Sequence, residues 1–116
     1  MPKGVLFVMS APTNPDSEDA YNDWYDNEHL DDVLELAGYQ AARRYRAVPN
    51  PGPDDTSGGI DFSYMALYEV EADDLKAAHA NLLEAAGKGA FPLPDSFRQD
   101  PGPVVQMFEQ ITERSK

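Results

Sequence analysis

The chain has 116 residues, enough for one domain (1–116) whose core needs no staples, and it has no cysteine, which excludes disulfides, thiolate nucleophiles, zinc fingers and iron–sulfur ligation. Its formal charge of -12, from 21 acidic against 9 basic residues, repels phosphate backbones and anionic lipid, so neither nucleic acid nor a membrane is an expected partner. With 41% hydrophobic and 10% aromatic residues, it is not a disordered acidic tail.

Residues 3–9, KGVLFVM, predict a first strand that Pro12 and Pro15 stop. Val5, Phe7 and Met9 point one way, Leu6 and Val8 the other. Both faces are apolar, so the strand is expected at the centre of a sheet, covered twice. The apolar run before Ser10 is too short for a signal-peptide core or a bilayer span, and the expectation is a soluble, cytoplasmic protein. After a loop over Ser10–Asp16, Ser17 is the expected N-cap of a helix, with Glu18 and Asp19 in its first turn. That helix runs to Leu36 or Ala37 and ends at Gly38 in a left-handed cap, with Asp31–Asp32 a candidate break inside it.

Tyr39–Val48 predicts a second strand, with Tyr39, Ala41, Arg43, Tyr45 and Ala47 on one side and Gln40, Ala42, Arg44, Arg46 and Val48 on the other. Ala and Arg would also suit a helix, but the Gly38 stop and the Pro49 barrier favour a strand. Residues 50–59 form a long Pro/Gly/Asp loop. Ile60–Val70 is the clearest strand, with Ile60, Phe62, Tyr64, Ala66, Tyr68 and Val70 on one face. Ala72–Ala86 predicts a second helix with Asp73 and Asp74 in its first turn and Gly87 at its end. Its stripe is Leu75, Ala78, His79, Leu82 and Leu83. Lys88–Gly102 is irregular, with Phe91, Leu93 and Phe97 tucked against the core, and Pro103–Thr112 is the last strand. The order β-α-β-β-α-β predicts an α+β, ferredoxin-like fold: a four-stranded antiparallel sheet with both helices on one face. The other face keeps apolar side chains that a second copy would cover, so a homodimer is expected.

The chemistry concentrates in Glu18–Leu36, which holds the only Trp and one of the two His residues. On a regular helix Tyr21, Tyr25, His29 and Val33 share a face, and Trp24 lies beside them. His29 is the natural general acid or base. Tyr25, Tyr45, Tyr64 and Tyr68 are candidates to hydrogen-bond a carbonyl, enolate or phenolate oxygen, and Trp24 could wall an aromatic-sized cavity. Arg43 or Arg44 could hold a carboxylate, but opposite parity lets only one face the helices. The competing reading is packing: an aromatic core stripe, a locally bonded His29, arginines paired with Asp23, Asp26 or Glu28, and His79 a structural histidine. Metal spacing is absent beyond the E-H pair at 28–29. Asp54–Asp55 reads as a solvated loop and Asp73–Asp74 as a helix start. No phosphate loop or G-x-S-x-G elbow is present.

The pattern N-x-W-Y-D-x-x-H-L-x-D-V, carried by Asn22, Trp24, Tyr25, Asp26, His29, Leu30, Asp32 and Val33, is followed by G-x-x-x-A-R-R-Y, from Gly38 through Ala42, Arg43, Arg44 and Tyr45. Together they resemble the dimeric α/β-barrel superfamily, near the EthD-like and stress-responsive barrel proteins. The resemblance implies two protomers packed sheet to sheet and a pocket between helices and sheet. It also implies kinship with cofactor-independent lyases, isomerases, cyclases and monooxygenases, with haem enzymes, and with proteins of no known activity. His29 resembles the acid/base histidine that several members place in the cavity. Asp31 stands where a proline is usual after the H-L pair, so the helix is expected to run on further than in relatives. The expectation is a cofactor-independent lyase, isomerase or cyclase for a small aromatic or carbonyl compound, with no metal. His29 and Tyr25 would be catalytic, and Asn22, Trp24, Tyr45, Tyr64 and Arg44 would bind substrate. The alternatives are a non-catalytic ligand-binding or dimerisation module, and a haem or oxygen-dependent monooxygenase.

Overall fold

A computed structural model of the chain describes residues 1–49, 51 and 62–116. The expected 50–59 loop, apart from Pro51, and the strand start at Ile60 and Asp61 lie outside the described residues. Strands β1 (Lys3–Ser10), β2 (Tyr39–Arg46), β3 (Tyr64–Glu71) and β4 (Val104–Glu109) form one antiparallel sheet in the order β2-β3-β1-β4. This is the ferredoxin-like arrangement that the element order predicts, with β1 central.

One face of the sheet is covered. Leu6 and Val8 of β1 are buried there with Tyr64, Ala66, Tyr68 and Val70 of β3. On the other face Val5, Phe7, Met9, Met65 and Leu67 stay half-buried, and Val104 and Phe108 are about half exposed at 47% and 52%. Among the described residues nothing supplies the second cover that the β1 sequence calls for.

The first helix departs from the expectation in three places. It is a run of α1 (Glu18–Trp24), a π-helical turn (Tyr25–His29) and α2 (Leu30–Leu34), so the irregularity falls before Asp31–Asp32 and the run ends two or three residues early. Ser17 makes no side-chain cap. Its N–H and its Oγ both donate to Asn14 Oδ1 at 3.0 Å, because Pro15 starts a short 3-10 turn (Pro15–Ser17) that brings the cap forward. Gly38 does adopt the left-handed conformation, at φ +90.

β2 contains a bulge between Tyr39 and Ala41. The extra residue switches the alternation, so Tyr39 joins Ala42 and Arg44 on the helix side rather than Ala41 and Arg43. The buried Tyr39 donates its hydroxyl to Ala78 O at 3.0 Å, and burial pushes its phenol up to about 12. In α3 (Leu75–Gly87) the acidic pair lies outside the helix: Asp74 is the N-cap and accepts from Ala77 N–H at 3.0 Å. α3 ends at Gly87 as expected, and Gly89 beyond it takes the left-handed conformation, at φ +85.

The irregular segment after α3 is tied to the end of β1. Thr13 N–H donates to Ser96 O at 2.8 Å and Arg98 N–H to Ala11 O at 3.0 Å. Phe91 and Phe97 are buried as expected, but Leu93 stays 44% exposed. Among the described residues no helix is long and apolar enough to cross a membrane.

Candidate functional site

The π-helical turn carries the site. Leu30 N–H reaches back to Tyr25 O, a bond spanning five residues rather than four, which widens the turn and rotates the residues C-terminal to it. Tyr21, Tyr25 and Val33 still point into the core and are almost fully buried. His29 is sandwiched among rings. Trp24 stacks on it at 4.5 Å with an interplanar angle of 18°, while Tyr25 and Phe91 meet it edge-on at 5.2 and 5.4 Å. Burial pushes the imidazole down from 6.5 to about 4, against the opposing pull of Asp32, so the ring is neutral at pH 7.

A cavity of about 220 Å³ lies between this helical run and the sheet. Val8, Tyr68 and Val105 of the sheet line it, with Tyr25, His29 and Val33 opposite. Leu82, Leu83 and Ala86 of α3 and Phe91, Leu93 and Phe97 complete the wall. Three polar atoms of these lining residues, Tyr25 Oη, Tyr68 Oη and His29 Nδ1, are buried and have no hydrogen-bond partner among the described residues. A buried hydroxyl left unpaired costs about 1–3 kcal/mol. Burial pushes both phenols well above the ordinary tyrosine range, so each keeps its proton. Ser10 opposes the rise at Tyr25, but its Oγ is bonded to Tyr21 Oη and completes no hydrogen bond with Tyr25.

Outside the same histidine lies an open cleft of about 680 Å³. Trp24, Glu28, Asp31, Asp32 and the segment Phe91–Pro94 line it, and it shares His29, Phe91 and Leu93 with the inner cavity. His29 is therefore part of the partition between the two spaces.

Behind Tyr25 sits a second cluster, organised by Arg44. Its guanidinium donates to Asp26 Oδ1 and Asn22 Oδ1, both at 2.8 Å, and lies over the rings of Tyr25, Tyr64 and Tyr21 at 4.5, 5.3 and 5.5 Å. Tyr64 donates to Glu18 Oε2 at 2.7 Å and accepts from Asn22 Nδ2 at 3.3 Å. The Arg44–Asp26 pair is the salt bridge that the packing reading expects. Arg43, on the opposite face, pairs with Glu69 at 3.3 Å.

Of the residues singled out in the sequence, His29 and Tyr25 line the cavity, and Trp24 braces His29 from the cleft side. Asn22, Tyr64 and Arg44 come together, but in the cluster behind Tyr25 rather than on the cavity wall. Tyr45 is aligned with Met65, on the sheet face away from the helices, and does not line the cavity. Bulge and parity explain the difference, since Arg44 takes the helix-facing place and its neighbour must face away. Tyr68 is the wall residue that the substrate-binding set lacks. Its alternation with Ala66 and Val70 was the signal for it. His79 is half-buried with Nε2 unpaired among the described residues, and it lines no part of this cavity. Among the described residues no three His, Asp or Glu side chains gather as they would around a metal ion.

No family model matches the chain. It is similar to Core atranone cluster protein 1 of Stachybotrys chlorohalonatus, 33% identical over 69 residues, which is 59% of this chain and only 26% of that protein. Among solved structures it is similar to an ethyl tert-butyl ether D (EthD) family protein from Bacillus halodurans C-125, with TM-score 0.60 and 17% identity, covering 96% of this chain and 100% of that one. It is also similar to a dimeric ferredoxin-like protein of unknown function from Jannaschia sp. CCS1, with TM-score 0.54 and 20% identity over 93% and 99% of the two chains. At these identities the likeness is one of fold. That fold is the ferredoxin-like one of EthD and dimeric barrel proteins, in keeping with the motif resemblance.

Proposed function

We propose that the chain is a single-domain, homodimeric enzyme that moves protons on a small aromatic or carbonyl compound held in the cavity between helices and sheet. One observation carries this: three unpaired buried polar atoms belong to the walls of one apolar cavity. A packing-only site would spend those groups on backbone partners, as Tyr39 does on Ala78 O. The volume of about 220 Å³ suits one substituted ring, since a cavity of about 150 Å³ takes benzene. It is too small for a porphyrin macrocycle, so haem is not a fit for this space.

The chemistry follows from the protonation states. Tyr25 and Tyr68 stay protonated and donate hydrogen bonds to a substrate carbonyl or phenol oxygen. His29 enters neutral and accepts a proton from the adjacent carbon, leaving enolate charge on the oxygen that the phenols hold. The imidazolium then returns the proton to another carbon (isomerisation) or to a leaving hydroxyl (dehydration). An imidazole near 4 is a weak base in the empty cavity. The enolate that forms beside it, together with Asp32, stabilises the imidazolium and offsets that weakness. Arg44, 4.5 Å behind the Tyr25 ring, adds positive potential to the side where oxyanion charge develops. A positioned acid/base supplies about 10²–10⁴-fold, and each oxyanion donor about as much again.

The dimer is supported by the half-buried apolar face of the sheet and by the fold's occurrence in a dimeric neighbour. The functional test is an NMR titration of the two histidines with and without small phenols and β-keto compounds. His29 resonances that respond to a ligand support the site. A His29 indifferent to every compound, with His29→Ala retaining full activity on any substrate found, would sink it.

A further inference from the structure

The openings of the cavity carry information about what it admits. The inner cavity reaches the surface at Leu83, Ala86, Leu93 and Pro103, all exposed and apolar. On the other side of His29, the outer cleft presents Glu28, Asp31 and Asp32, likewise exposed. No lysine or arginine lines either space among the described residues. Arg44, whose guanidinium lies over the Tyr25 ring, is already held by Asp26, with Glu18 joined to the same cluster through Tyr64.

A carboxylate ligand would therefore cross a field of like charge, shed its water into an apolar chamber, and find no cation to pair with there. An uncharged ligand meets none of these penalties. The walls around it hold two unpaired buried phenols and one imidazole, groups that suit a carbonyl or hydroxyl oxygen and a transferable proton.

We propose that the pocket selects uncharged single-ring phenols or ketones, that they enter past Leu93, and that Glu28, Asp31 and Asp32 act as an anion filter at the adjoining cleft. Leu93 is the pivot because it borders both spaces and is 44% exposed, whereas its partners in the partition, His29 and Phe91, are packed against each other. Pro92 and Pro94 fix φ on either side of it, so it is rotation of the Leu93 side chain, rather than movement of the segment, that widens the mouth there. This specificity rests on the pocket reading above.

The test uses Trp24, the chain's only tryptophan, as a fluorescence reporter stacked on His29. Wild-type protein is titrated with 4-hydroxyacetophenone, neutral near pH 6.5, and with 4-hydroxybenzoate, its anionic counterpart of similar shape. The expected result is a preference for the ketone of roughly tenfold or more at low salt, the order that a few carboxylates within about 10 Å produce at an intermediate dielectric. The preference should shrink in about 1 M salt, where screening acts over ~3 Å, and shrink again in a Glu28→Gln/Asp31→Asn variant. Equal affinities that ignore salt, or tighter binding of the benzoate, would overturn the filter while leaving the pocket intact. If neither compound binds, nor any of the phenols and β-keto compounds used on the histidines, the pocket reading falls and takes the filter with it.

Discussion

Acid should destabilise this protein through His29 in a window that can be calculated. The folded ring resists protonation down to about pH 4, whereas the unfolded ring takes up a proton near 6.5. Between those values the unfolded state binds more protons, so stability falls as the pH falls, and the loss is complete once both states are protonated. At roughly 1.4 kcal/mol per pH unit, the gap is worth about 3 kcal/mol. The many carboxylates also titrate at low pH, so the wild-type curve alone does not isolate the histidine. The comparison needed is with His29→Gln, which keeps a polar side chain of similar length but does not titrate. Urea denaturation at half-unit steps from pH 7.5 to 4 gives two stability curves. The variant loses the Trp24 stack at every pH, a constant offset, but should not share the extra acid loss. The curves should therefore converge or cross by about 3 kcal/mol, on the order of 1–2 M in urea midpoint. Parallel curves would refute the reasoning and mean that the imidazole is better solvated, or better paired, than its ring sandwich implies.

Other perturbations separate structure from function. Tyr68→Phe removes an unpaired buried hydroxyl and should leave denaturant stability unchanged or raise it by up to ~1 kcal/mol, while ligand affinity by fluorescence titration drops about tenfold or more. A clear loss of stability would mean that the hydroxyl has a partner in solution. Arg44→Met breaks the bonds to Asp26 and Asn22 at a side chain only 12% exposed and should destabilise the fold by about 2–4 kcal/mol in the same assay. If it does not, the cluster is not the brace of Tyr25. Phe108→Lys charges the half-exposed sheet face beside Phe7, 5.4 Å away ring to ring, and should convert a dimer to monomer in sedimentation velocity. A variant that keeps the wild-type mass would place the interface elsewhere.

The fold was legible because its signals are local and repeat: β1 apolar on both faces, β3 strictly alternating, Gly38 turning the chain from the first helical run into β2. What failed depended on single-residue irregularities that no period reveals. The bulge at Gln40 switched Tyr39 to the helix side, and the π turn moved the helix irregularity from Asp31 back to Tyr25. Each adds one residue to a regular pattern, and sequence periodicity cannot say where an extra residue goes. The substrate-binding set differs from the cavity lining for a related reason. Asn22, Tyr64 and Arg44 are polar groups near an aromatic helix, and from sequence they look like site residues. In space they bond mainly to one another, with Arg44 Nε left unpaired among the described residues, and the unpaired atoms of the cavity walls belong to Tyr25, Tyr68 and His29.

That division assigns distinct roles to the two clusters. Polar groups that complete their hydrogen bonds within the fold add rigidity, and those that do not are held in place at a cost. The Arg44 cluster pins the outer side of Tyr25 by a cation over its ring and anchors to α1 through Asn22. Trp24 does the same for His29 by stacking at 4.5 Å. Between these two braces the π turn holds Tyr25 and His29 against the cavity, with the hydroxyl and the imidazole Nδ1 unpaired among the described residues. A π turn inside an α-helix is rare but frequently found at functional sites, and here it is the turn that carries both Tyr25 and His29. Weakening a brace should therefore lower affinity even though neither brace borders the ligand.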